Sequence, residues 1–289
     1  MTFEIEQIRG LLEMIDPPGA LGQSVLTMRN LHRMAATAAI IPKASSPGAR
    51  LIDIGGRVEW IPIYTKLLGY TQVTILERPG GSFLDKYRVP GQGAEFIADT
   101  IECDAELDSY PIASESVDCV VCFHLLEHFA GDPMHMIAES NRILKAGASM
   151  CLTTPNVLYY QNLVTFLFGG HPFGWSVFTD SYADRHNREY TPYEAKRLFE
   201  AGGFSVDLLQ TKTHSLSHDF KSKLLGYTLC LLPVLLGRTS FGLRGEEMQV
   251  RGNKIGDVVE RYPRFLYNLF GGSSVTVKIR NNDENISQN

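Results

Sequence analysis

Apolar residues in this chain gather in short dense runs. Leu51-Ile-Asp-Ile54, Val73-Thr-Ile-Leu76, Cys119-Val-Val-Cys-Phe123 and Met150-Cys-Leu152 are near-continuous in this respect. Such runs mark strands covered on both faces, as in a parallel sheet. The pattern predicts strands over 50–54, 73–77, 101–104, 119–123, 149–153, 205–210 and 274–279. Helical stretches lie between them. A helix-like stretch after the first strand has Pro62 near its start and Gly69 just past its end. Another helix starts at Pro133 with Asp132 as N-cap, and Gly147 closes the turn after it. A third starts at Pro192, where Thr191 and Glu194 spell a capping box and Gly202 ends the helix. Ile8, Leu11, Leu12 and Ile15 repeat at helical spacing, so residues 1–46 read as a helical cap over the sheet edge or a pocket mouth. Strand alternating with helix predicts an α/β, doubly wound, mostly parallel sheet with helices on both faces. Ligands then bind at the carboxyl ends of the strands.

The polar residues at those ends carry the candidate chemistry. Asp53 ends the first strand and is followed by Gly55 and Gly56, a turn in which backbone can approach a ligand. Glu77 and Asp104 fall at the ends of the next two strands. Three carboxylates on one rim repel one another unless a ligand with donors or positive charge lies between them. Glu77 suits a ribose diol, Asp104 an adenine amino group and Asp53 an ammonium group. A nicotinamide site would need G-x-G-x-x-G at this turn, and Gly55-Gly56-Arg57-Val58-Glu59 does not supply it.

Composition narrows the setting. With 289 residues, 44% hydrophobic, the chain can bury one large core or two modest ones. A net charge of −5 without a basic stripe excludes nucleic acid as the expected partner. Five cysteines lack a disulfide framework. Cys119 and Cys122 sit two-faced on one strand and read as small core residues in a reducing compartment. The acidic N-terminus shows no secretory signal, and no run reaches membrane-spanning length, so a cytoplasmic location is expected. The apolar stretch 224–237, flanked by Lys221, Lys223 and Arg238, reads as a buried helix pair or as a peripheral contact with the cytoplasmic face of a membrane. No spacing argues for a metal. His124-x-x-x-His128 is the one paired histidine motif, and zinc is not expected there.

Several blocks together resemble class I S-adenosylmethionine-dependent methyltransferases of the type 11 kind. They are Leu51–Gly56, Val73–Glu77, Cys103–Ala105, Ser116–Phe129 with its Leu-Glu-His, and Asp132–Asn156. His186-Asn-Arg-Glu-Tyr-Thr-Pro-Tyr-Glu is similar to a subgroup of bacterial glycan and small-molecule enzymes. The resemblance implies a Rossmann-like seven-stranded sheet with the last strand antiparallel. It implies S-adenosylmethionine as cofactor, held by Asp53, Gly55, Gly56, Arg57, Glu77, Asp104, Ala105, Phe123 and His124. One departure stands out: Arg57 and Glu59 occupy positions where the family usually has glycine.

Methyl transfer to a hydroxyl needs a base. His186 is the first choice, with His124 and Tyr190 as further catalytic candidates; Arg188 either binds an anionic acceptor or pairs with Glu189 or Glu194. His128 is expected to fix its loop and His135 to lie on a helix surface. The domain is expected over 47–280. Its aromatic insertion 156–190 reads as a lid, its insertion 211–272 as apolar, and 281–289 as a disordered tail. The expected acceptor is a small molecule, a saccharide or lipid-linked saccharide, methylated on oxygen. The competing reading is a non-catalytic module that keeps the fold and has lost the cofactor. Oligomeric state is not legible.

Overall fold

The computed structural model describes residues 3–15, 25–80, 88–91, 94–172, 185–214, 220–237 and 240–267. Helices α1 (Ile5–Glu13) and α2 (Met28–Ala38) precede strand β1 (Arg50–Ile54). Strands β2 (Gln72–Glu77), the hairpin β3 (Arg88–Gly91) and β4 (Ala94–Ile97), β5 (Asp99–Glu102) and β6 (Val117–Phe123) follow. Then come α3 (Pro133–Ile143), β7 (Leu144–Pro155), α4 (Tyr160–Leu167), α5 (Pro192–Ala201), β8 (Phe204–Lys212), α6 (Phe220–Leu235) and β9 (Glu247–Lys254).

Seven strands form one sheet in the order β5-β2-β1-β6-β7-β9-β8. Pairing is parallel from β5 to β7, while β9 runs antiparallel between β7 and β8. The expected fold class is borne out. The antiparallel strand, however, is 247–254, a stretch the sequence reading had placed inside the apolar insertion. Its alternation of Met248 and Val250 with Gln249 and Arg251 was masked by so many polar letters. The segment 274–279 lies outside the described residues, as do the tail and the aromatics Phe173, Trp175, Phe178 and Tyr182.

Two apolar layers cover the sheet. Leu51, Val73, Ile75, Cys119 and Val121 face one layer with α1, α2 and Tyr64. Ile52, Ile54, Leu76, Val120 and Cys122 face the other with α3 and α5. The cysteines of the C-x-x-C letters thus lie on opposite faces, as period-two geometry requires, and all five cysteines are free and buried. The caps predicted at Asp132 and Thr191 form, the latter as a full capping box. The stretch after β1 is less regular than expected: a short 3-10 turn at Val58–Trp60 and a π-helical turn at Ile63–Leu67 replace an α-helix.

Chain order reverses at β1, whose neighbours are β2 on one side and β6 on the other. That switch point leaves a crevice at the carboxyl ends of both strands. The loops carrying Gly55 and His124 open there. Helices α4 and α6 pack beside it. The rings of Tyr160 and Tyr227 stack at 5.5 Å, and Gly226 lets the helices close, since a Cβ there would lie 2.9 Å from the Tyr160 ring. Among the described residues no helix is long and apolar enough to cross a membrane.

Candidate active site

The turn after β1 is built around Gly55 and Gly56. Gly55 has φ +68°, a left-handed conformation that favours glycine. At Gly56 a Cβ would stand 2.4 Å from Asp53 Oδ2. Asp53 is therefore packed behind the turn. It shares the face of Leu51, is 1% exposed, and accepts a hydrogen bond from the Tyr64 hydroxyl at 2.7 Å. Burial pushes its carboxyl up to about 7; the Tyr64 bond opposes that, and the charges of Glu59 and Glu77 add to it. The sequence had put Asp53 in reach of a ligand ammonium. The alternation of the strand turns it into the core instead, where it supports the turn.

A cleft of about 430 Å³ opens in front of the turn, within the ~300–1,000 Å³ of small-molecule sites. Gly55, Gly56 and Arg57 form one end. Glu77, Asp104 and Ala105 line it further along, between walls of Leu76, Leu125 and Phe129. Glu77 is buried and receives the Arg78 N–H at 3.2 Å; burial raises its carboxyl pKa. Asp104 Oδ1 accepts from the Glu106 N–H at 2.9 Å, which fixes it at the rim. Arg57 and Glu59, the two departures from the glycine pattern, pair with each other at 2.7 Å. The Glu59 charge is thereby answered and the cleft stays open. A carboxylate for a diol, an acidic rim beside apolar walls and a glycine turn with no room for side chains suit an adenosyl ligand. Gly55, Gly56, Arg57, Glu77, Asp104 and Ala105, all expected around the cofactor, line this cleft together.

A second cavity of about 800 Å³ adjoins the first, and Gly55, Arg57 and His128 line both. Phe123 and His124, expected to hold the cofactor, belong to this larger space, with Phe123 against Trp60 at 5.1 Å. Residues of α2, including Arg29, Asn30 and Arg33, form part of its wall. Five carboxylates face it: Glu59, Glu127, Glu189, Glu246 and Glu247. Each has a basic neighbour, Glu246 pairing with Arg29.

His124 sits at the centre of this lining. Its backbone is left-handed, φ +51°, unusual for a side-chain-bearing residue and typical of functional turns. Its Nε2 lies 2.6 Å from Glu247 Oε2 and its Nδ1 3.4 Å from Glu127 Oε1. Burial disfavours a charged ring, but the two carboxylates outweigh that and lift its pKa to about 9. Glu247 is held well below the usual carboxylate range by His124 and His214 in spite of its burial. His124 is thus a held cation at neutral pH and no base.

The other histidines divide by place. His186 Nδ1 meets Glu189 Oε1 at 3.0 Å, and the His186 ring stands edge-on to His128 at 5.0 Å. His128 Nδ1 contacts the Arg185 carbonyl at 3.0 Å, which ties the two loops together as expected. Arg188 pairs with Glu194 at 2.8 Å. Tyr190 lines neither cavity: it is a core side chain under Arg188, and its catalytic assignment has no geometric support. His135 is buried, its Nε2 bonded to the Asp108 carbonyl at 2.8 Å, contrary to the surface position expected. Sequence reasoning missed Glu247 and His214, whose strand and loop were not recognised. Glu127 was visible inside Leu126-Glu-His128 and was given no role.

Comparison with known proteins agrees with this geometry. Residues 65–152 match the family described as Methyltransferase domain. No curated protein matches the sequence. Among solved structures, the chain is similar to a complex from Haloferax volcanii between the Trm112 methyltransferase activator and a candidate methyltransferase. Identity is 15%, coverage 79% of this chain and 90% of the other, and the TM-score 0.52. It is also similar to an S-adenosylmethionine-dependent enzyme of Thermotoga maritima described as a possible histamine N-methyltransferase. Identity there is 16%, coverage 86% and 99%, and the TM-score 0.51. At such identities the likeness shows the fold. Together with the family match, which is confined to residues 65–152, it shows that the chain has the fold of class I methyltransferases.

Proposed function

We propose that this chain transfers the methyl group of S-adenosylmethionine to an oxygen of a small-molecule acceptor, of saccharide or lipid-linked saccharide class. One observation carries the reading: the cleft suited to the cofactor and the larger polar cavity meet at Gly55, Arg57 and His128. Glu77 accepts the ribose hydroxyls, Asp104 serves the adenine end, and the Gly55–Arg57 turn takes the methionine end. The sulfonium methyl then points into the larger cavity, where attack in line with the departing sulfur is possible. His186, held through Nδ1 by Glu189, is on the acceptor side and suited to take its proton. His124, kept charged by Glu247, places positive charge on the wall of the acceptor cavity.

Asn30, Asn156, Gln161 and Asn162 line the cavity beside the rings of Trp60 and Tyr159. Amides with aromatic faces suit sugar hydroxyls and sugar rings. A lipid-linked acceptor is favoured by the outer surface of α4 and α6. Phe166, Leu167 and Phe168 are exposed there together with Leu229, Leu231 and Leu235. This patch would rest on a membrane surface near the cavity.

Titration calorimetry of the full chain with S-adenosylmethionine and S-adenosylhomocysteine tests the reading. Micromolar binding followed by methyl transfer to glycan acceptors is the expected result. Folded protein that binds neither compound would favour the non-catalytic module.

A further inference from the structure

We propose that Glu127, His128 and His186 form a binding site for one divalent transition-metal ion at the junction of the two cavities. One ligand atom from each of the three lies within 4.8 Å of the others, and all three residues line the larger cavity. Metal-bound atoms of a single ion lie ~3–3.5 Å apart at bond lengths of ~2.0–2.2 Å, so small side-chain rotations complete the set. His128 also borders the cofactor cleft, so the ion site adjoins that cleft.

The surroundings are those of a prepared site. A metal-binding histidine needs its other nitrogen held by a carbonyl or carboxylate. His128 Nδ1 faces the Arg185 carbonyl and His186 Nδ1 faces Glu189, each at 3.0 Å, so both rings are oriented by such a partner. Glu127 is fully buried, and its Oε2 accepts from Thr154 at 2.8 Å. Its Oε1 has no hydrogen-bond partner. The His124 Nδ1 approach of 3.4 Å lacks hydrogen-bond geometry. His124 answers the charge of this oxygen only at ion-pair distance, 3.4 Å; a metal ion would give Oε1 the direct partner it lacks.

Backbone bonds lock the two ligand segments. The N–H groups of Asn187 and Arg188 donate to the Glu127 carbonyl, and Asn187 Nδ2 donates to the His128 carbonyl at 2.7 Å. The spacing of Glu127 and His128 from the distant His186 hid this cluster in the sequence, which predicted no metal.

Two imidazoles and one carboxylate suit zinc, iron, cobalt or manganese better than magnesium, and leave coordination positions for an acceptor oxygen. The catalytic role rests on the methyl-transfer reading above; ion binding does not. A hydroxyl bound to the ion loses its proton to cavity water more readily. Its oxygen forms the O–C bond as the C–S bond breaks, the electron pair staying on sulfur. His186 then acts as a ligand, and the ion replaces it in activating the hydroxyl.

The test uses the untagged full chain after chelator treatment, titrated with Co²⁺ by visible absorption and with Zn²⁺ by calorimetry. One ion per chain is expected. His186→Ala should weaken binding at least tenfold and Glu189→Gln about tenfold, while the exposed His32→Ala leaves it unchanged. No ion bound by folded protein, or equal affinity in His186→Ala, overturns the site. S-adenosylmethionine binding is measured on the same preparation. Ion without cofactor keeps the site and sinks the methyl-transfer reading; cofactor without ion does the reverse.

Discussion

Gly56→Ala probes how the cofactor turn is held. The added Cβ would lie 2.4 Å from Asp53 Oδ2, 2.5 Å from its Cγ and 3.0 Å from its Cβ. Asp53 cannot swing away freely, since its carboxylate is buried and bonded to Tyr64 at 2.7 Å. Overpacking of this kind costs about 1–3 kcal/mol, and loss of the Tyr64 bond adds about 1 kcal/mol. A total near 3 kcal/mol lowers Tm by roughly 5–10 °C in a domain of this size. Thermal and urea unfolding followed by circular dichroism measure it. The turn also shifts, so cofactor affinity should fall at least tenfold. The Asp53→Ala background provides the internal check, because it removes the closest two atoms. There the alanine at 56 should cost less than half as much, a coupling that a double-mutant cycle reads directly. A Tm change under 1 °C, or equal costs in both backgrounds, would refute this account of the turn.

Glu77→Gln keeps shape and loses charge. Cofactor binding by calorimetry should weaken by about 10–100-fold, the worth of hydrogen bonds to an ionised group at ~1.5–3 kcal/mol, with unfolding hardly altered. Asp53 makes stability depend on pH. Its folded carboxyl titrates at about 7 against an ordinary value of 3.8, so it favours the folded state at low pH, and that contribution is lost as pH rises from about 4 to about 7. Relative to Asp53→Asn, the wild type should lose about 4 kcal/mol across this window, from three units at ~1.4 kcal/mol each; parallel stability curves would contradict the assignment. Arg57→Ala leaves the buried Glu59 without its 2.7 Å partner and should weaken cofactor binding, whereas the Arg57→Ala/Glu59→Ala double variant should recover part of it. Vesicles of anionic lipid should sediment the wild-type chain, and Leu231→Glu with Leu235→Glu should abolish this; equal sedimentation of the two would remove the membrane contact.

Much of the frame was readable from local signals. Buried parallel strands are apolar on both faces, so 50–54, 73–77 and 119–123 announce themselves, and caps at Asp132 and Thr191 need only neighbouring residues. Glu77, Asp104, Gly55 and Gly56 follow from their positions at strand ends. The strand at 247–254 escaped because its pairing partners β7 and β8 lie far away in sequence, and its own letters are half polar. Asp53 was given the wrong direction because a strand-end residue faces either ligand or core, and only the packing of Tyr64 and Gly56 decides which. The acceptor side belongs almost wholly to tertiary structure. Glu127 and His128 come from the loop after β6, His186 from the segment before α5, and Glu247 from β9. No periodicity links them. Sequence determines which residues can ionise, ligate or turn; the sheet order, by bringing loop ends to one crevice, determines which of them meet.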